Sequence, residues 1–133
     1  MVRNFLFLVY IKKLIMKKML TKAEEQVMQT LWKLGKSGLR EITNAMPDPK
    51  PHSNTVATIL KILAKKEFVH IEPISRVNLY SPAISKDEYS ERSIEHIAKA
   101  YFNGSFNNVV SFLVKNKNVS VEDLKLLIKH LKE

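Results

Sequence analysis

No cysteine occurs anywhere in the chain. Disulfides, thiolate catalysis, cysteine-based zinc or iron–sulfur sites and thiol redox sensing are therefore excluded. Glycine is nearly as scarce: there are three, all at turn positions, so no glycine-rich loop can cradle a phosphate. Long apolar runs are missing too. The most apolar stretch, residues 5–11, falls far short of the roughly 20 residues that span a bilayer. Neither paired carboxylates in a plausible pocket nor a nucleophile–base spacing is present, so turnover is not expected. The four histidines, His52, His70, His96 and His130, are scattered, with none at i, i+4 from another. Glu72 could share a strand face with His70, but two ligands do not make a site. The sequence thus predicts no metal, no cofactor and no small-molecule substrate.

Positive charge is what the chain has in excess. Its net charge is +9, unevenly spread. Residues 1–20 hold five basic and no acidic side chains, residues 21–84 nine and six, and residues 85–133 eight and seven. Such asymmetry fits a front end that binds a polyanion and a back end with another task. An apolar fraction of 45% is ordinary for a folded protein, and 133 residues suit one domain, or one small domain with an appendage.

The first eighteen residues admit three readings. The apolar run at 5–11 lies between Arg3 and Lys12-Lys13 and resembles a short signal-peptide core, yet only lysine-rich sequence follows and no small-residue cleavage site. It reads as a non-native or upstream-start extension, as an extra packed segment, or as an anchor at a membrane surface.

From Met19 onward the signals are local and clear. Thr21-Lys-Ala-Glu24 is a capping box opening a helix that buries Val27, Met28, Leu31 and Trp32 and stops near Gly35. A turn or one-residue strand follows at residues 37–39. Residues 39–46 give a second helix with Ile42, Ala45 and Met46 inward. Pro47, Pro49 and Pro51 force an extended arm. A third helix follows with Val56, Ile59, Leu60 and Leu63 at i, i+3, i+4, i+7. Its opposite face carries Asn54, Thr55, Thr58, Lys61 and Lys65 and no carboxylate. Residues 68–74 alternate as a strand that Pro73 breaks. Ser75, Arg76, Val77 and Asn78 make the turn, and Leu79 begins the return strand.

Ser85-Lys-Asp-Glu88 caps a long helix to about Asn103, with Ile94, Ile97, Ala98, Tyr101 and Phe102 on its apolar face and Gly104 as its breaker. Phe106, Val109, Val110, Phe112 and Leu113 mark another helix. A last one, capped by Ser120 and Asp123, carries Leu124, Leu127, Ile128 and Leu131. A piece of under about 50 residues is marginal alone. These three helices are therefore expected to pair with a second copy, rather than fold back on the N-terminal part.

The expected fold is mainly α with a small β-hairpin: a winged helix-turn-helix domain at 19–84 followed by a helical dimerisation region at 85–133, with 1–18 as an extension. Helix, short strand, helix, helix and hairpin is the order that a winged helix uses to read double-stranded DNA. Asn54, Thr55 and Thr58 are expected at base edges or nearby phosphates, and Lys50, Ser53 and Lys61 on the backbone. Arg76 and Asn78 are expected on the wing. Each of these residues alone would be at home on a solvated surface; together they point to nucleic acid. The alternative is a module that keeps the winged fold, binds protein and lacks salt-dependent DNA affinity.

The chain resembles the penicillinase-repressor family from about Met19 to its end. Residues 20–32 look like that family's opening helix, Leu39-Arg-Glu-Ile42 like the start of its second, and residues 54–63 like its recognition helix. Tyr80-Ser-Pro82 is similar to its wing exit, and Phe102-Asn-Gly-Ser-Phe106 to the start of its dimerisation segment. The resemblance implies a cytoplasmic homodimeric repressor on a pseudo-palindromic operator with TACA/TGTA half-sites, in a beta-lactamase-like regulon or one run by a membrane sensor-protease. It implies an interface from Ile97, Tyr101, Phe102, Phe106, Val109, Val110, Phe112, Leu113, Leu124, Leu127, Ile128 and Leu131.

Three departures stand out. Relatives released by a membrane sensor metalloprotease are cut at an Asn-Phe bond in the dimerisation region. Here that region offers Ser111, Phe112 and Leu113, and Asn-Phe occurs only at residues 4–5. Copper-responsive relatives carry a C-terminal cysteine motif that this chain lacks. Glu67 stands where relatives place glycine after the recognition helix. A left-handed Glu would cost roughly 1 kcal/mol more than Gly, so the helix is expected to end without that motif.

Overall fold

A computed structural model describes Leu6 and residues 19–133. The three readings of residues 1–18, and the Asn-Phe pair at 4–5, lie outside the described residues. Helix α1 spans Lys22–Leu34 and has Val27, Met28 and Leu31 fully buried. The Thr21 Oγ1 accepts from the Glu24 N–H at 3.3 Å while the Glu24 carboxylate accepts from the Thr21 N–H at 3.0 Å, the predicted capping box. Gly35 ends the helix at φ 75°, a value glycine adopts without strain.

The two-residue strand β1 (Ser37–Gly38) leads into helix α2 (Leu39–Ala45) and, after the proline arm, helix α3 (Ser53–Lys65). Strands β2 (Val69–Ile74) and β3 (Val77–Pro82) form the hairpin, and the antiparallel sheet has the order β1-β3-β2 with Ser37 opposite Tyr80. Helix α4 covers Lys86–Tyr101, α5 Phe106–Lys115 and α6 Val121–Lys132.

The inward stripes of α1, α2 and α3 meet over the sheet. Val56, Leu60 and Leu63 are fully buried with Ile42, and Ile59 packs against them half-buried. Met46 is buried as expected, but Ala45 is exposed: α2 has only seven residues and turns only Ile42 fully inward.

Two hairpin expectations need correction. Pro73 does not break β2, because Pro73 pairs with Asn78 and Ile74 with Val77. β2 is an edge strand, where the donor that proline lacks can face outward. The turn therefore shrinks to Ser75 and Arg76, with Ser75 at φ 57°, and Val77 and Asn78 belong to β3.

Glu67 is the third correction. It sits at φ 68°, its N–H bonds to the Ala64 carbonyl at 3.0 Å, and the Phe68 N–H bonds to the Leu63 carbonyl at 2.9 Å. This is the left-handed termination that glycine favours, made here by glutamate. The sharp exit drops Phe68 into the core, 1% exposed, and burying that ring outweighs the local strain.

The chain divides into two compact units, one ending at Tyr89 and one of Ser90–Glu133, rather than at residue 84. Tyr89 belongs to the first by its contacts. Its ring packs edge-on against Phe68 at 5.7 Å and tilted against Trp32 at 5.9 Å, and its hydroxyl accepts from the Leu20 N–H at 3.1 Å. Trp32 Nε1–H donates to the Ile84 carbonyl at 2.9 Å, closing the same corner.

Within the second unit, α4 stops at Tyr101, where Asn103 and Gly104 take left-handed backbone and the Gly104 N–H returns to the Ala98 carbonyl at 2.8 Å. Ser105 caps α5 by accepting from the Asn108 N–H at 3.2 Å, and Ser120 and Asp123 form a capping box on α6. Phe102 and Phe112 meet edge-on at 5.4 Å.

Candidate nucleic-acid interface

Helix α3 is N-capped by His52, whose Nδ1 accepts from the Asn54 N–H at 3.1 Å. From there Asn54, Thr58, Lys61 and Lys65 recur at i, i+4, i+7, i+11 and are all exposed, with Thr55 exposed beside them and Ser53 half-buried. No residue of α3 is acidic. The Thr58 hydroxyl donates to the Asn54 carbonyl at 2.9 Å, which leaves its oxygen as an acceptor. Lys50 Nζ donates to the Asn44 carbonyl at 2.7 Å, tethering the proline arm to the end of α2 and leaving two further ammonium donors.

Arg76 is exposed at the hairpin tip, as expected. Asn78 is exposed as well, but the register puts it on the sheet face of the buried Tyr80, opposite that of Val77 and Leu79. Asn78 and Val77 thus point to different sides of the wing.

The ion pairs sort the cations. Lys36 pairs with Glu72, and Lys66 with Glu24 at 2.8 Å. Among the described residues, Arg40, Lys50, Lys61, Lys65 and Arg76 have no carboxylate partner. The positive charge left without a carboxylate partner thus includes Lys61 and Lys65 of α3, Arg40 of α2, Lys50 on the proline arm and Arg76 at the wing tip. The Glu24–Lys66 pair is structural: it ties the first turn of α1 to the C-cap of α3. Burial by itself pushes the Glu24 carboxyl up, but the Lys66 ammonium and the N–H and hydroxyl of Thr21 outweigh it and hold the group below its ordinary 4.5.

An open groove of about 600 Å³ is lined mainly by Gly38 of β1 and residues 39–41, 43 and 44 of α2, Arg40 among them. Ser53 of α3 and Val77 and Leu79 of β3 complete its lining. Arg40 was not among the residues expected at DNA. The available signal was its position: an exposed cation in the first turn of the middle helix.

In the second unit, Ile97, Tyr101, Phe106, Val110, Phe112, Leu127, Ile128 and Leu131 are exposed, while Phe102, Val109, Leu113 and Leu124 are half-buried. Ser111, Phe112 and Leu113 lie inside α5, so a cut there requires that helix to open locally. No helix among the described residues is long and apolar enough to cross a membrane.

Comparison with known proteins identifies the family. The chain is 28% identical over 112 residues to the penicillinase repressor of Bacillus licheniformis, covering 84% of this chain and 88% of that protein. The profile named penicillinase repressor matches residues 20–133, taking in both units, and the chain accordingly belongs to the penicillinase repressor family of DNA-binding transcriptional regulators.

Proposed function

We propose that two copies of this chain pair through α4, α5 and α6, and that the dimer represses transcription by occupying a pseudo-palindromic operator with TACA/TGTA half-sites. The observation that carries the reading is the exposed face of α3, which bears Asn54, Thr55, Thr58, Lys61 and Lys65 with Ile62 as its one exposed large apolar side chain, beside a hairpin tipped by an arginine with no carboxylate partner among the described residues. In the major groove, Asn54, Thr55 and Thr58 read base edges or adjacent phosphates, because amide and hydroxyl groups match the donors and acceptors displayed there. Ser53, Lys50 and Lys61 hold the backbone, where lysine releases counterions and makes affinity salt-dependent. Arg76 meets phosphate or the minor groove from the wing, and Asn78 supports it from β3.

Pairing is supported by the apolar side chains that the second unit leaves outward, from Ile97 to Leu131. Release by a membrane sensor metalloprotease would use a bond other than Asn-Phe, since α5 carries Ser111-Phe112-Leu113. The site of action is the cytoplasm, where the chromosome and this protein meet.

Fluorescence anisotropy against a TACA/TGTA palindrome and a scrambled duplex, at low and near-physiological salt, tests the proposal. A preference of at least about a thousandfold that survives added salt is the range of specific readers. Equal, salt-sensitive binding to both duplexes removes the operator assignment, and no binding to either leaves a winged fold that binds protein instead.

A further inference from the structure

We infer that the groove between α3 and the wing holds the phosphodiester strand separating the two DNA grooves, with Arg40 as its phosphate contact. This rests on the DNA-binding proposal above. Every duplex has a backbone strand between a major groove and the adjacent minor groove. A protein that puts a helix in one and a hairpin in the other must leave a channel for that strand. In this molecule one groove takes its lining from both elements: Ser53, the first residue of α3, and Val77 and Leu79 of β3, with residues 38–41, 43 and 44 of β1 and α2 making up the rest.

Its lining matches that occupant. Val77 is 59% exposed, and its cross-strand partner Ile74, outside the groove's lining, is 45% exposed on the same sheet face as Leu79. Both apolar side chains sit next to the polar tip, where deoxyribose carbons, rather than water, would cover them. Arg40 is exposed with no carboxylate partner among the described residues. Asn44 also lines the groove, and its backbone carbonyl accepts from the Lys50 ammonium at 2.7 Å, which brings a second cation to the end of α2. One carboxylate, Glu41, also lines the groove. Its Oε1 lies 3.3 Å from the Gly38 N–H, which it caps at the start of α2, so its charge is turned toward backbone donors. Arginine is suited to the role because its planar fork can take two phosphate oxygens at once.

The test uses the full chain and four duplexes: the palindrome, the scrambled sequence, and palindromes carrying a single neutral methylphosphonate at successive positions of the strand between the grooves. R40Q is expected to weaken binding to both natural duplexes by about tenfold, without changing their ratio, as losing one charge-assisted contact should. Its salt slope should fall by about one, as expected for one phosphate contact. R40K should keep the slope. One methylphosphonate should weaken the wild type and leave R40Q unaffected. Thermal melts of R40Q should match the wild type, because the side chain is exposed. A wild type that prefers the palindrome alongside an R40Q variant of equal affinity and slope overturns the groove assignment alone. A wild type that binds no duplex overturns the DNA-binding proposal and this inference with it.

Discussion

Between Met19 and Tyr89, thirteen buried apolar side chains close on one another; from Ser90 to Glu133, eleven large apolar side chains stand at least two-fifths exposed and Ala98 is the one buried hydrophobic. The two stretches differ little in the quality of their helices. Capping boxes open α1 and α6 alike. What separates them is layering. The first unit has a sheet for its helices to cover, so each apolar stripe finds a partner in the same chain. The second spans only residues 90–133, a piece small enough that its helices bury little surface against one another. Good local signals make helices in both, but only one unit satisfies its own hydrophobic surface.

The largest effect that would break this contrast comes from emptying the closed core. Leu60→Ala should lower unfolding free energy by about 3 kcal/mol, since a fully buried leucine leaves a cavity. Urea melts measure it, and a loss below about 1 kcal/mol would mean a loosely packed first unit. Val110→Asp sharpens the other side of the comparison. Analytical ultracentrifugation should find the wild type a dimer and the variant a monomer, and operator affinity should fall although no residue expected at DNA has changed. An unchanged dissociation constant would sever pairing from repression.

A smaller effect concerns the part-buried ion pair of Glu24 with Lys66. Because the Glu24 carboxyl is held below 4.5, its stabilisation is present in full above that unfolded-state value and is lost as pH falls through the folded one. Glu24→Gln should therefore be less stable than the wild type by about 1–2 kcal/mol at pH 7, with the two curves converging in acid. A gap that persists at low pH would assign the loss to packing instead. The smallest expected change is a gain. Glu67→Gly should raise stability by about 1 kcal/mol, visible as a higher melting temperature, because glycine takes φ 68° without strain.

Much of the fold was legible in the chain itself. The Thr21–Glu24 capping box, the stop at Gly35, the buried stripe of α3 and the arginine at the wing tip all lie where the sequence predicts. The expected DNA-facing residues are exposed, apart from the half-buried Ser53. The misreadings have a common form. Pro73 looked like a strand breaker and Glu67 like a residue that would avoid left-handed backbone, since both judgements used the residue's own preference. The edge position of β2 tolerates the first, and the burial of Phe68 imposes the second.

The sequence by itself determined the order of elements, their caps and the separation of an apolar from a cationic face on α3. Such features depend on residues within about four positions of one another, where cap chemistry and helical periodicity act. Tertiary structure decided the two-residue wing turn, the left-handed Glu67, the groove that gathers Arg40 with Ser53 and Leu79, and the extension of the first unit to Tyr89. These rest on contacts such as Trp32 with Ile84, 52 residues apart, and Leu20 with Tyr89, 69 apart. No local preference encodes them, because their free energy exists only once the helices have packed and the buried side chains have chosen which backbone strain to tolerate.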